Sequence, residues 1–260
     1  MIQRRTYLFL PAPVNTYDGF GNLDFGTVKG FSLQYDLRRT NNLELTANYT
    51  LQFADGTGSN ANSQRGLTNR GNIRTLLPLS FDERHRFVTT VDYRYGFGPK
   101  YNGPRWFGTD IFANAGINLQ ATAVSGRPYT KLTRATPFSG TGFQGSINGS
   151  RLPWNFTLDL RADKSFLISR ADGKKPVFLN VYLRVQNLLD ARNVIGVYPV
   201  TGTADNDGYL TSSDGQSALN TIEMSGRDVD SYFASYQWRL LNPDLYSLPR
   251  RAFLGAIIEF

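Results

Sequence analysis

"LELTANYTLQF", residues 43–53, alternates without a fault. Leu43, Leu45, Ala47, Tyr49, Leu51 and Phe53 are apolar, and Glu44, Thr46, Asn48, Thr50 and Gln52 between them are polar. Successive side chains of a β-strand point to opposite faces, so the stretch predicts a strand with one apolar and one wet face. Its 11 residues exceed the usual five or six of a globular sheet. They match the roughly 9–11 tilted residues with which a β-strand crosses a bilayer.

The same pattern spreads outward from this stretch. Upstream, Phe31, Leu33, Tyr35 and Leu37 alternate with Ser32, Gln34, Asp36 and Arg38, after Val28. Downstream, Phe87, Val91, Tyr93, Tyr95 and Phe97 oppose Arg86, Thr90, Asp92 and Arg94. Ile111, Ala113, Ala115, Ile117, Leu119 and Ala121 oppose Asn114, Asn118, Gln120 and Thr122. Phe156, Leu158, Leu160 and Ala162 face away from Thr157, Asp159, Arg161 and Asp163, and Val177 to Val185 alternates in the same way. The closing stretch "RRAFLGAIIEF" puts Ala252, Leu254, Ala256, Ile258 and Phe260 on one face. With the short "RRTYLFL" near the start, these predict eight strands, at 3–10, 26–38, 43–53, 85–97, 109–123, 155–168, 176–187 and 249–260. Almost nothing reads with the 3.6-residue period of a helix.

The gaps between these strands run 15, 4, 31, 11, 31, 7 and 61 residues, alternately long and short. Transmembrane barrels have short periplasmic turns and long extracellular loops between antiparallel strands. That rule sends 39–42, 98–108 and 169–175 to the periplasm and 11–25, 54–84, 124–154 and 188–248 to the outside. The loops are rich in glycine, serine and asparagine, as solvated turns are. Aromatics gather at strand ends (Tyr93, Tyr95, Phe97, Trp106, Phe107, Trp154, Phe156), where interfacial girdles sit. The expected fold is therefore all-β: an antiparallel transmembrane β-barrel in the cell outer membrane, surrounded by outer-membrane lipid.

Composition narrows the chemistry. The 260 residues contain no cysteine and one histidine, which leaves no disulfide framework and no Cys/His zinc site. The net charge is +7, but the basic residues are scattered and their longest runs are pairs, with no nucleic-acid-binding motif, so nucleic acid is not an expected partner. No run of 18 apolar residues predicts a transmembrane helix. The opening "MIQRRTYLFLPAPV" imitates a signal peptide, but its apolar patch, Tyr7 to Leu10, is cut short by Pro11 and Pro13.

In "NLDFGTVKGFSLQYDLRRTNNLELTANYTLQFADGTGS", "LSFDERHRFVTTVDYRYGFG", "VYLRVQNLLDARNVIGVYPVTGTADNDGYL" and "LPRRAFLGAIIEF", in that order, the chain resembles the barrel of TonB-dependent outer-membrane receptors. The likeness is to the Oar-like type with a carboxypeptidase-regulatory-like N-terminal domain. It implies an importer whose 22 strands surround a plug, with the TonB complex reached through that plug. Residues 1–260 would then be the C-terminal portion of the barrel, about eight strands of it, with no plug domain. The remaining strands and plug would lie in another chain or be missing from this one, and Met1 would not be the natural precursor's start. The resemblance also implies that Leu254, Ala256, Ile258 and Phe260 carry the signal read by the barrel assembly machinery, through strand addition at the last edge. The competing reading is a self-contained eight-stranded barrel with a structural or adhesive role, in which 3–10 would pair with 249–260.

Three clusters were weighed as sites. His85, with Ser80, Asp82 and Glu83 nearby, is the one possible imidazole base, but a strand-end histidine among charges reads as interfacial and no enzyme is expected. Asp205, Asp207 and Gly208 match positions three, five and six of a calcium loop and Asp214 position twelve, with Thr203 at position one. The absence of flanking helices and of a terminal glutamate favours an Asx-rich turn, leaving calcium as the weaker alternative and no cofactor expected. The mixed charges Asp36, Arg38, Glu44, Arg86, Asp92, Arg94, Asp159, Arg161, Asp163 and Arg184 read as ladders between strands or as contacts to a plug.

Overall fold

The computed structural model describes residues 2–6, 16–20, 25–60, 75–169 and 176–260. Seven long strands form one antiparallel sheet: β1 (Gly26–Thr40), β2 (Leu43–Gly56), β3 (His85–Arg94), β4 (Ala115–Val124), β5 (Asn155–Ser169), β6 (Val177–Gln186) and β7 (Arg251–Glu259). Each pairs with its neighbours in sequence, so the sheet is a simple meander from β1 to β7. A two-residue strand, Leu77–Pro78, lies beside the end of β2.

The first expected strand is corrected. Residues 2–6 pair with 16–20 in a separate hairpin, from Ile2↔Phe20 to Thr6↔Thr16, and residues 7–10 lie outside the described part. A nearby partner closes with little loop entropy, whereas residues 249–260 are a whole chain away. Among the described residues no ladder joins β1 or the hairpin to β7, so the sheet has two open edges. Over the described residues 2–6, the expected pairing of 3–10 with 249–260 is therefore not present.

Other boundaries shift for local reasons. The expected strand 109–123 begins at Ala115, because Asn114 adopts a left-handed φ of 56° and breaks the extended run. Thr109 and Asp110 pair instead with Arg105 and Trp106. The expected strand 85–97 ends at Arg94, and Gly98–Lys100 forms a single 3-10 turn. The connections at one end of the sheet now span 2, 20 and 7 residues and those at the other 28, 30 and 64. The expected inequality between the two ends survives, although the middle short turn is longer than expected. The expected loops at 54–84 and 11–25, and the turn 169–175, fall partly outside the described residues.

The largest departure lies in the expected loop 188–248, which holds two helices: α1 (Ser213–Met224) and α2 (Val229–Leu240). Both are capped from the sequence: Ser212 accepts from the Gly215 N–H and Asp228 from the Asp230 N–H. Even so, the fold is predominantly antiparallel β.

Register carries the alternation across the whole sheet. Leu37, Leu45, Val91, Leu119, Leu160, Val185 and Ala252 are successive cross-strand partners through all seven strands. One row further on come Leu43, Tyr93, Ile117, Ala162, Leu183 and Leu254. Because strand side chains repeat with period two, these rows share one face. Among the described residues no second layer covers most of it: Phe31 is 60% exposed, Leu33 58% and Leu254 79%, although Val185 is buried. The total accessible surface is 17729 Å², against about 11,400 Å² for a compact chain of this mass by the usual scaling. The apolar cluster of buried residues sits in the loops, not under the sheet: Tyr198, Tyr236 and Leu240, with Phe138, Tyr209 and Leu245 packed around them.

Candidate functional site: the polar sheet face and the folded loops

The face opposite the apolar rows is polar and its groups are tied together. Glu44 and Asp92 are direct cross-strand neighbours, a pairing of like charges that would repel. Arg39 resolves it. Its guanidinium donates to Glu44 at 2.9 Å and also to Asp92. Arg39 turns to this face because the register shifts between Leu37 and Thr40.

The second node joins β3 to β5 over the top of β4. Arg94 donates both terminal nitrogens to Asp163, at 3.0 and 2.8 Å, and Asn180 of β6 adds a bond at 3.1 Å. Asp163 is almost wholly buried, with 4% of its side chain exposed. Gly116 makes the crossing possible. It lies between Arg94 and Asp163 in the register, and a Cβ there would stand 2.6 Å from the Arg94 guanidinium carbon. Arg161, directly opposite Arg184, lies over the Tyr182 ring at 4.7 Å. Of the residues expected in ladders, Glu44 and Asp92 on adjacent strands are joined through Arg39, which the expectation did not include, and Arg94 and Asp163 pair across an intervening strand. Asp36 accepts from Gln34, Asp159 accepts from the Asn187 N–H and Arg86 pairs with Glu83.

The aromatic residues of the apolar face fall in two clusters. At the long-loop end Tyr49 stacks on Phe87 with centroids 4.4 Å apart, and His85 stacks on Trp154 at 5.7 Å. At the short-turn end Tyr93 meets Tyr95 edge-on at 5.3 Å, and Tyr95 stacks on Phe112 at 5.9 Å. His85 and Tyr95 lie ten residues apart, about 34 Å of extended strand.

His85 belongs to the upper cluster. Its Nδ1 lies 3.0 Å from the Tyr49 hydroxyl. The neighbours considered with it are engaged elsewhere: Glu83 pairs with Arg86 and Arg127, and the Ser80 N–H bonds Ser59. Asp82 is fully buried and accepts from the Ala54 N–H at 2.9 Å and from Arg151. Arg151 also donates to the Asp82 carbonyl at 2.8 Å, so this pair ties the segment before β3 to the one before β5. Arg84, two residues on, lies 3.5 Å from the same carboxylate, but the hydrogen-bonded Arg151 is 69 residues away.

The longest loop is anchored to β5 by a side chain that imitates a strand. Asn193 accepts from the Phe156 N–H and donates to the Phe156 carbonyl, both at 2.8 Å. Above it, α1 and α2 meet the hairpin of Leu132–Thr136 and Ser139–Phe143. Phe138, at its tip, stacks on Tyr236 at 4.6 Å and lies beneath the Arg239 guanidinium at 4.6 Å.

The three calcium candidates are separated by this packing. Asp207 is buried and accepts from the Phe138 N–H at 2.8 Å, the Tyr209 N–H at 2.9 Å and the Tyr236 hydroxyl. Burial, reinforced by the Asp207 carboxylate, pushes the Tyr236 phenol well above its ordinary value. Asp214 pairs with Arg134 at 2.7 Å, and Asp205 is exposed. Among the described residues no three His, Asp or Glu side chains gather around a common point.

Leu254, Ala256, Ile258 and Phe260 lie on one side of the last strand and its end, all exposed, with Phe260 at 89%. The strand bonds only to β6, which leaves its outer edge open among the described residues. Comparison with models of known families, with curated proteins and with solved structures gives no match.

Proposed function

We propose that this chain is part of the wall of an outer-membrane β-barrel of the TonB-dependent receptor kind, supplying strands, lumen surface and extracellular loops to an importer. The observation that carries this reading is the two-sided sheet. One face is apolar, largely exposed and flanked by two aromatic clusters. Their separation of about 34 Å of strand would be about 26 Å of height at the roughly 40° tilt of an outer-membrane barrel, close to its apolar band of about 25 Å. The other is polar and cross-linked. A water-soluble sheet with a face of that kind would carry a second layer over it.

The open edges favour a larger barrel over a self-contained eight-stranded one. An unpaired edge in hydrocarbon leaves backbone N–H and C=O groups without partners, at several kcal/mol each. Strands from elsewhere must therefore complete the wall, with Leu254, Ala256, Ile258 and Phe260 presented at the edge that the assembly machinery would read. A plug would meet the charged face and pass the TonB complex's work to it.

Extraction of the native outer membrane in mild detergent tests this. The expected result is recovery of the chain there, either in stoichiometric complex with a plug-bearing barrel chain or within a polypeptide several times longer. A self-contained, heat-modifiable species of about 29.1 kDa would overturn the receptor-wall reading. Recovery in the soluble fraction would overturn the membrane reading altogether.

A further inference from the structure

Between the Tyr49 row and the short-turn end, Lys164 is the one charged residue at an apolar-face position of β2 to β7, opposite Ala115 and Val181. Its ammonium is drawn toward the turn: it donates to the Ile111 carbonyl at 2.5 Å and lies 5.0 Å from the Phe166 ring centre. A lysine at the rim of a hydrocarbon layer bends its head to the interface in this way. Beside it the sheet surface sinks into a trough of about 610 Å³. Ala115 and Ala162 form its low floor; Tyr93, Tyr95 and Phe112 rise on one side and Phe166 and Leu254 on the other. The volume falls within the roughly 300–1,000 Å³ of small-molecule sites, and such sites pair an apolar lining with few polar groups.

We infer that this trough is a glycerophospholipid site: one acyl chain lies along Ala115 and Ala162, and the lipid phosphate pairs with Lys164. Charge complementarity selects the occupant. The ammonium has three donors, of which one goes to Ile111, and a cation bent to the interface stands at the depth of the lipid phosphates. The inference rests on the membrane-wall reading, whose orientation places Lys164 in the periplasmic leaflet.

Native mass spectrometry of the full chain in its outer-membrane assembly tests it, with dioleoylphosphatidylglycerol as probe and dioleoylglycerol as its phosphate-free counterpart. The wild type and Lys164→Arg should each retain one phosphatidylglycerol, and neither should retain dioleoylglycerol. Lys164→Met should lower retention about tenfold, and Ala162→Phe should abolish it by filling the floor while leaving the charge in place. Equal retention by Lys164→Met or Ala162→Phe would overturn the site. So would retention of dioleoylglycerol, or of lipopolysaccharide in place of phospholipid. A chain that resides in the outer membrane yet retains no phosphatidylglycerol sinks this inference alone, whereas a soluble chain sinks the membrane reading with it.

Discussion

Gly116→Ala offers a prediction whose sign depends on one neighbour. In the wild type the new methyl would stand 2.6 Å from the Arg94 guanidinium carbon and 2.7 Å from Nη2. A carbon contact relaxes nearer 3.5 Å, so the guanidinium must lift by about 1 Å. A lift off the sheet runs across the bonds to Asp163, now 3.0 and 2.8 Å, so it stretches them to about 3.2 and about 3.0 Å and tilts them from their preferred alignment. Asp163, 4% exposed, keeps Asn180 as its other side-chain donor. Breaking a fully buried pair costs about 3–5 kcal/mol. Arg94 is 36% exposed and its bonds are weakened rather than lost, so the expected loss is smaller, about 1 kcal/mol. In an Arg94→Ala background the three atoms nearest the methyl are gone, and Ala is better than Gly in a strand by about 0.5 kcal/mol. The substitution should therefore destabilise the wild type and be neutral or slightly stabilising in the variant. Urea unfolding of the native assembly in phospholipid vesicles, followed by gel mobility without heating, measures all four corners of the cycle. An equal effect of Gly116→Ala in both backgrounds would refute the role given to this glycine.

Two further outcomes concern the loops. Arg151→Ala leaves the buried Asp82 carboxylate with the Ala54 N–H and with Arg84 at 3.5 Å, at a cost of about 2 kcal/mol. Local opening, read as protease cleavage of 125–154 in the purified protein, should therefore rise about thirtyfold; unchanged cleavage would count against the anchor. The Tyr236 phenol, raised by burial and by Asp207, stays neutral in the folded cap while an unfolded tyrosine ionises near pH 10. Its contribution is therefore fully present below pH of about 10 and is lost as pH climbs toward the folded-state value. Tyrosinate absorbance should show a late-titrating phenol that is missing in Tyr236→Phe, and a Tyr236→Phe titration identical to the wild type would refute it.

The sequence by itself determined what a one-sided environment writes residue by residue. Leu43 to Phe53 alternate, which puts apolar side chains on one face of the strand and polar ones on the other, and that pattern is local. The antiparallel order, the unequal ends and the aromatic clusters follow from the same local record. The helices were not expected, because their apolar stripes are thin: α1 buries Gly215, and α2 buries Tyr236 and Leu240; the caps Ser212 and Asp228 are the signal that could have found them. What sequence left open was decided by register and packing between distant segments. Asp207 looks like a calcium ligand beside Asp205 and becomes a core acceptor only when Phe138 and Tyr236 arrive from other elements. Gly116 is an ordinary strand glycine until β3 and β5 flank it and Arg94 crosses to Asp163. Lys164 breaks an apolar row only once Ala115 and Val181 are set beside it. Alternation reads the medium around each residue, but which partner stands across the sheet is fixed by strand alignment, and that is a property of the assembled chain.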